Sequence, residues 1–101
     1  MDSATRLSRT EHLILDILRD RESFGLELVE RSQGAVKRGT VYVTLARMQD
    51  KGYITSRTEA LPHGAIGLPR RLYRPTAYGV AVFKVCSRAE RALARLRPQE
   101  E

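Results

Sequence analysis

Residues 36–57, "VKRGTVYVTLARMQDKGYITSR", constrain the fold most, because a helical pattern there runs directly into a strand pattern. Three apolar residues recur at i, i+4 and i+7, the spacing of one helix face: Val41, Leu45 and Met48. Thr40 is a residue type that caps helix N-termini well, and Gly52 can take the left-handed conformation that commonly ends a helix. We therefore predict a third helix between Thr40 and Gly52, followed at once by a strand.

Two helical patterns precede this segment. Apolar residues at helical spacing predict a first helix over about residues 9–21. Ser23 is a suitable N-cap for a short second helix that Gly34 would end, with Leu26 and Leu28 partly buried. The second and third helices would then be joined by a short glycine-containing turn, as in a helix-turn-helix.

Two strand patterns and a long helix follow. "YITSRTEA" and "RRLYRP" have strand composition, and "LPHGAIGLP" between them indicates a loop at the tip of a hairpin. Thr76 opens a last helix that continues to about Arg97, where Pro98 stops it. The predicted fold is mainly α with a small β-hairpin. It comprises a winged helix-turn-helix domain over residues 1–75 and a C-terminal helix over residues 76–101.

Composition limits the class of protein. A chain of 101 residues is one small domain with little stability margin as a monomer, so pairing with a second copy would help. No apolar run approaches the roughly 20 residues of a membrane helix, and the N-terminus lacks a signal-peptide pattern. A single cysteine excludes an internal disulfide and suggests a reducing compartment, from which we expect a cytoplasmic location.

The charge balance points to an anionic partner. The net charge is +6, and arginine supplies 15 of the 18 basic residues. Arginine binds phosphates through a planar fork of donors, so its excess is typical of nucleic-acid-binding proteins. A basic surface that merely keeps the protein in solution remains an alternative at this point.

The outer face of the third helix is the predicted DNA-reading surface. Val43 and Arg47 lie opposite its apolar face. If the first turns enter the major groove, Val43 can contact a thymine methyl group, and Arg47 can contact either a guanine edge or a phosphate. Lys37 and Arg38 lie just before the helix and can hold the DNA backbone, and Thr40 at its start can hold the backbone or take part in base selection. An ordinary solvated face explains the basic residues at the helix start poorly, because cations there oppose the helix dipole.

The hairpin adds a second basic element. Arg57, Arg70 and Arg71 lie on its strands and are predicted to contact the backbone of the same duplex. Arg74 and His63 lie beside them, with His63 the weaker candidate because it is neutral at pH 7. Arginines that only solubilise an exposed hairpin remain the alternative.

A stripe along the last helix is the predicted dimer contact. Five residues step by 4, 3, 4 and 3, which is the a/d spacing of paired helices: Val82, Cys86, Ala89, Leu93 and Leu96. A second copy of the chain is the simplest partner for this stripe, which makes residues 76–101 a dimerisation helix. Packing against the first helix of the same chain is the alternative.

Three segments resemble the PadR family of transcriptional regulators. "GTVYVTLARMQDKGYI", "RRLYRPTAYG" and "LILDILRDRESFGLELVERS" match its motifs in order, over about residues 13–79. The resemblance implies a dimeric winged-helix regulator, usually a repressor, and places Tyr42 near the DNA backbone. Val43 departs from the family's common proline, Leu72 from an aromatic residue and Pro75 from an apolar one. Members can bind small ligands between subunits, so the resemblance leaves an effector open.

Other functions are less well supported. The histidines, the cysteine and the carboxylates show no metal-site spacing, and no glycine loop for phosphates is present, so we predict no enzyme, no cofactor and no metal. A winged helix used for protein interaction would have a neutral or acidic third helix. A non-specific nucleic-acid binder would bind unrelated sequences equally. The primary prediction is a sequence-specific binder of double-stranded DNA, a dimeric repressor on an inverted-repeat operator.

Overall fold

The computed structural model describes residues 6–60, 64, 67 and 69–98. Its elements are, in chain order, α1 (Arg9–Asp20), β1 (Ser23–Phe24), α2 (Gly25–Arg31), α3 (Val41–Asp50), β2 (Ile54–Glu59), β3 (Arg70–Pro75) and α4 (Ala77–Leu96). The predicted order of three helices, a hairpin and a long helix is confirmed. The helix-turn-helix of α2 and α3 lies beside a β wing formed by β2 and β3.

The sheet has one strand more than the sequence predicts. The two-residue β1 pairs antiparallel with β3, so the strand order is β1-β3-β2. The prediction that Ser23 caps α2 is therefore wrong, because Ser23 lies in β1 and Phe24 occupies the N-cap position. The buried Ser23 hydroxyl instead accepts a hydrogen bond from Arg31 at the end of α2.

Local capping explains where the helices begin and end. The Ser8 hydroxyl accepts the Glu11 amide at the start of α1, and the Thr76 hydroxyl accepts the Gly79 amide at the start of α4. Thr40 occupies the N-cap position of α3 as predicted, but its side chain makes no capping hydrogen bond. Gly52 ends α3 with a φ of 81°, the left-handed conformation expected there.

One hydrophobic core joins the helices to the sheet. It contains the predicted inner face of α3, which is Val41, Leu45 and Met48, together with apolar residues of α1, β2, β3 and the first half of α4. Leu28 of α2 is buried in this core, as expected. Leu26 is exposed at 42%, so its predicted partial burial is wrong.

A junction around Tyr53 connects α3, the sheet and α4. The Thr76 hydroxyl donates a 2.6 Å hydrogen bond to the Gly52 carbonyl, and the Thr76 amide donates to the Tyr53 carbonyl at 3.0 Å. Gly79 lies so close to this carbonyl that any Cβ at position 79 would overlap it. The fully buried Tyr53 therefore anchors the first turn of α4 directly beneath the end of α3.

A single ion pair connects the start of α1 to the end of α3. The Glu11 carboxylate is almost completely buried, accepting the Ser8 amide at 2.9 Å and the Lys51 ammonium at 2.9 Å. Burial raises the pKa of Glu11, but the hydrogen bond from the Ser8 amide and the Lys51 charge lower it by more. The pKa of this carboxyl therefore lies below its ordinary value, and the charged form stabilises the fold.

The Glu11–Lys51 pair predicts a pH-dependent stability. Glu11→Gln keeps the acceptor for Ser8 but removes the charge, so the free energy of unfolding at pH 7 should fall by about 1–2 kcal/mol. Because the folded pKa is depressed, the wild-type contribution is complete above the unfolded value of 4.5 and is lost as pH falls through the folded pKa. The difference from wild type, measured by urea unfolding, should shrink below that value.

Asp16→Asn is the matched control for this prediction. Asp16 lies on the same helix and pairs with Arg19 at 3.3 Å, but its side chain is mostly exposed. Removing an exposed charge of this kind should change the stability at pH 7 by less than about 1 kcal/mol. An effect of Glu11→Gln that stays constant from pH 7 into acid would show that the carboxylate charge contributes nothing.

Candidate nucleic-acid interface

The outer face of α3 is exposed along its length. Val43 is 54% exposed and lies opposite the buried residues of the same helix, and Arg47 follows it one turn later. Ala46 between them is small and exposed, and Asp50 lies at the far end. The described chain leaves this face open, so the first two turns can enter a groove.

Two cations lie in the turn that leads into α3. The Lys37 carbonyl accepts the Thr40 amide at 3.2 Å and the Val41 amide at 3.0 Å, which fixes the turn immediately before the helix. Lys37 and Arg38 are both exposed. Thr40 is exposed beside them, and its hydroxyl is not used for capping. These donors project at the helix start, where the α3 dipole also favours an anion.

Some basic residues of the described chain are ion-paired, and the cations at this surface are not among them. Within residues 6–60 and 69–98, five basic side chains are ion-paired: Arg19, Arg21, Arg31, Lys51 and Arg57. Lys37, Arg38 and Arg47 have no carboxylate partner within this part of the chain. Their charge is therefore available to attract a polyanion.

Tyr42 occupies the flank of α3 that faces α2 and the wing. Its ring packs beside Gly25 at the start of α2, yet half of its surface is exposed. Its ring also borders a groove that contains Arg71 and Tyr73 of β3. Burial raises the pKa of Tyr73, an effect that Arg71 opposes, so the Tyr73 hydroxyl stays protonated at neutral pH.

The wing arginines lie on opposite faces of the hairpin. The register pairs Thr58 with Arg71 and Arg57 with Leu72, and alternate residues of a strand point to opposite faces. Arg71 donates to the Ser56 hydroxyl at 3.1 Å, and Ser56 in turn donates to Gln49 of α3 at 3.3 Å. Arg71 therefore shares its face with α3.

Arg57 and Arg70 lie on the other face. Arg57 is ion-paired with Glu22, which precedes β1, and the charge and hydrogen bond of Glu22 raise the pKa of this arginine. The Arg70 guanidinium lies 4.4 Å from the centroid of the Phe24 ring, a cation–π contact at the edge of the groove beside Tyr42. His63 lies outside the described residues.

The sequence did not reveal two residues that organise this surface. Gln49 connects α3 to the wing through Ser56, and its place on the helix flank is visible from the 3.6-residue period. Glu22 neutralises Arg57 across 35 residues of sequence. Only the strand register brings these two residues together, so no local signal predicts the pair.

The predicted dimer stripe divides along α4. Val82 is buried in the monomer's own core and Cys86 packs against that core, because the first half of α4 lies on α1. Ala89, Leu93 and Leu96 are exposed, the two leucines by 66% and 79%. From Arg88 onward every residue of the helix is exposed. The second half of the stripe is therefore an apolar edge without cover in the described chain.

Neither a metal site nor a membrane span is found in the described residues. No three histidine, cysteine or carboxylate side chains within residues 6–60 and 69–98 come close enough to hold a metal ion. Among the helices described, none combines the length and apolar character needed to cross a bilayer. Cys86 is a partly buried residue of α4.

Solved structures share this architecture. A PadR family transcription regulator from Clostridium difficile superposes with a TM-score of 0.73 at 23% identity, covering 88% of this chain and 94% of its own. A PadR-like transcription factor from Bacteroides fragilis gives 0.72 at 18% identity, covering 85% and 84%. A PadR-like transcriptional regulator from Bacillus cereus gives 0.64 at 23% identity, covering 89% and 92%. At these identities the similarity establishes the winged-helix fold alone.

The sequence itself matches a family model. No curated protein is significantly similar to this chain. The model of the PadR-like transcriptional regulator family matches residues 14–85, which run from the middle of α1 through the helix-turn-helix and the wing to the first half of α4. That match covers most of the chain and includes the whole exposed surface of α3. The chain therefore belongs to the PadR-like family of transcriptional regulators, which bind DNA.

Proposed function

We propose that this protein reads a specific double-stranded DNA sequence as a homodimer and represses transcription from it. The observation that carries the proposal is the open face of α3, on which Val43 and Arg47 are exposed and beside which Lys37 and Arg38 have no acidic partner among the described residues. A surface used for contacts with an acid-rich protein segment would also be basic. The family assignment favours DNA over that alternative.

We assign the proposed DNA contacts from the positions of the side chains. Lys37, Arg38, Thr40 and Tyr42 surround the start of α3, where donors can hold backbone phosphates on one strand. Arg71 on the wing faces the same side and can hold a phosphate of the other strand. Arg70 begins on the opposite face of β3, but its guanidinium lies over the Phe24 ring and lines the same groove as Arg71, so it can also reach a phosphate. Arg57 is left out of the proposed interface, because its partner Glu22 lies on the opposite face.

The dimer is proposed to form through the second half of α4. A 20-residue helix is about 30 Å long, and its first half already lies on α1. Leu93 and Leu96 then project beyond the domain, where a second copy can bury them. Arg88, Arg91 and Arg95 flank this edge with only Glu90 among them, so the pairing should be stronger at moderate salt than at very low salt.

Repression requires only that the bound dimer occupy a promoter. We propose this role because the family resemblance implies it, and because DNA reading and pairing together account for the exposed surfaces described above. Such a protein works where the chromosome lies, which is the basis for proposing a cytoplasmic location. No effector is included in the proposal.

A promoter–reporter fusion that carries the selected DNA site tests the proposed repression. Deleting the gene for this protein should raise expression of the reporter, and a fall in expression would indicate an activator.

The base-reading face can be tested by selection on random duplex DNA at a stated salt concentration. Wild type should return an inverted repeat whose half-sites lie about one or two helical turns apart. Val43→Ala or Arg47→Ala should change the preferred base at one position in each half-site, with roughly 1–3 kcal/mol of discrimination lost per good contact. Asp50→Asn, at the far end of the helix, is the control and should leave the motif unchanged.

The outcome that would contradict this prediction is equally specific. If wild type returns no inverted repeat, the two-fold arrangement is wrong. If the Val43 and Arg47 variants return the wild-type motif unchanged, then α3 does not read bases with this face. Equal affinity for all sequences would instead support a non-specific nucleic-acid binder.

Phosphate contacts should depend on which face of the wing an arginine occupies. Arg71→Ala should weaken binding to specific and unrelated DNA alike, and should lower the slope of log K against log salt by about 0.9, one phosphate contact. Arg57→Ala is the matched control: it removes the same charge on the opposite face and should leave the slope nearly unchanged. Fluorescence anisotropy across a salt series measures both. Equal slope changes would place both faces of the wing on DNA.

The proposed dimer contact predicts that one charge placed on the apolar edge of α4 will dissociate the dimer. Leu93→Glu places a carboxylate in the apolar edge, where burial against a partner is costly, so the variant should be monomeric. Because Leu93 is 66% exposed in the single chain, the variant should keep the wild-type circular dichroism spectrum. Sedimentation equilibrium at micromolar concentration measures the mass. Ala94→Glu adds the same charge about a third of a turn away and should remain dimeric, whereas a monomeric wild type would contradict the proposal.

A further inference from the structure

The contact between Gly25 and Tyr42 is closer than any other residue at position 25 would allow. A Cβ on Gly25 would lie 2.5 Å from Cε1, 2.8 Å from Cζ and 3.0 Å from the hydroxyl oxygen of Tyr42. Gly25 is not among the residues with positive φ, so its backbone conformation does not require glycine. Space for the Tyr42 ring is therefore the reason that the structure gives for glycine at this position.

The backbone at the start of α2 is held from both sides. The Glu27 carboxylate accepts the Phe24 amide at 3.0 Å and the Arg21 guanidinium at 3.1 Å. Phe24 is also paired with Leu72 in the sheet. By contrast, the Tyr42 ring is half exposed and can rotate away from α2. A larger residue at position 25 would thus displace the ring and leave the backbone in place.

We infer that Gly25 is a positioning residue for DNA binding, because it lets the Tyr42 ring lie against α2, where it lines the same groove as Arg71 and Tyr73. This inference rests on the proposed function, in which Tyr42 donates to a backbone phosphate. A methyl group on Gly25 turns the ring outward, toward the space that the duplex would occupy. The result is the loss of one phosphate contact and a steric obstacle to the approach of α3.

A purely structural role for Gly25 makes a different prediction. If Gly25 served folding alone, Gly25→Ala would lower the melting temperature and leave the DNA affinity of the folded protein unchanged. Alanine favours a helix more than glycine does, so any loss of stability would have to come from the clash with Tyr42. With the clash confined to the end of one half-exposed side chain, the variant should still fold with a melting temperature close to wild type. The effect should appear in DNA affinity instead, as a fall of about tenfold, the size expected for one hydrogen bond to a charged group.

The test is a double-mutant cycle on DNA affinity at fixed salt, with thermal melting of each protein. The proteins are wild type, Gly25→Ala, Tyr42→Ala and the double variant. We expect Gly25→Ala to weaken binding in the wild-type background and to have no further effect in the Tyr42→Ala background. Phosphate ethylation interference adds a readout that a structural role would not change: Gly25→Ala and Tyr42→Phe should lose the same phosphate.

Each other outcome overturns the inference at an identifiable step. If Tyr42→Ala and Tyr42→Phe bind DNA as wild type does, then the proposed contact of Tyr42 is wrong and the inference fails with it. If Tyr42→Ala weakens binding but Gly25→Ala does not, the proposed function stands and the positioning role fails. If Gly25→Ala weakens binding equally in both backgrounds, its effect does not pass through Tyr42.

Failure to fold is also informative in this design. If Gly25→Ala alone unfolds while the double variant folds, then the Tyr42 ring cannot turn outward at low cost, Gly25 serves folding through that contact, and the positioning role in DNA binding is overturned. If neither variant folds, then the backbone at Gly25, and not the Tyr42 ring, is what a side chain disturbs. That result overturns the inference.

Discussion

The contact of Gly79 with the Tyr53 carbonyl fixes the first turn of α4 against the end of α3. Thr76 donates to Gly52 and Tyr53 at the same place, so the end of α3, the start of β2 and the first turn of α4 meet within a few ångströms. Backbone atoms form most of this junction, and backbone atoms packed this closely cannot shift relative to one another without steric overlap. The open basic face of α3 and the exposed apolar edge of α4 therefore belong to two helices that meet at one tightly packed junction. In a dimer, the geometry of α4 would set the distance between the two reading helices.

The distribution of charge separates cations that stabilise the fold from cations that can bind a ligand. Arg31 holds the end of α1 through Asp20, and Lys51 holds its start through Glu11. These pairs join elements that a small core alone would hold weakly. The cations at the start of α3 and along the second half of α4 have no such partners in the described chain. Unpaired charge next to an exposed face is what a polyanion requires, whereas paired charge contributes to orientation within the protein.

The β2–β3 hairpin carries both kinds of cation, one on each face. Arg71 and Arg57 are chemically identical and only one cross-strand position apart in register. Arg71 lies with Ser56 and Gln49 on the face that α3 shares, and Arg57 is ion-paired with Glu22 on the other face. The difference follows from the pleat of the strands, which sends neighbouring residues to opposite faces. A count of arginines in the hairpin therefore overstates the charge that a duplex could meet.

Local sequence patterns predict the helices, the hairpin and the position of the open basic face. Those features depend on periodicity and on caps within a few residues of each other, such as Val41 with Leu45 and Thr76 with Gly79. Tertiary contacts determine which of the predicted site residues face solvent and which already pack or pair within the protein. It assigned Ser23 to a strand, buried Val82 in the core and paired Arg57 with Glu22. These outcomes depend on strand register and on contacts between residues far apart in the chain, and local patterns carry no information about either.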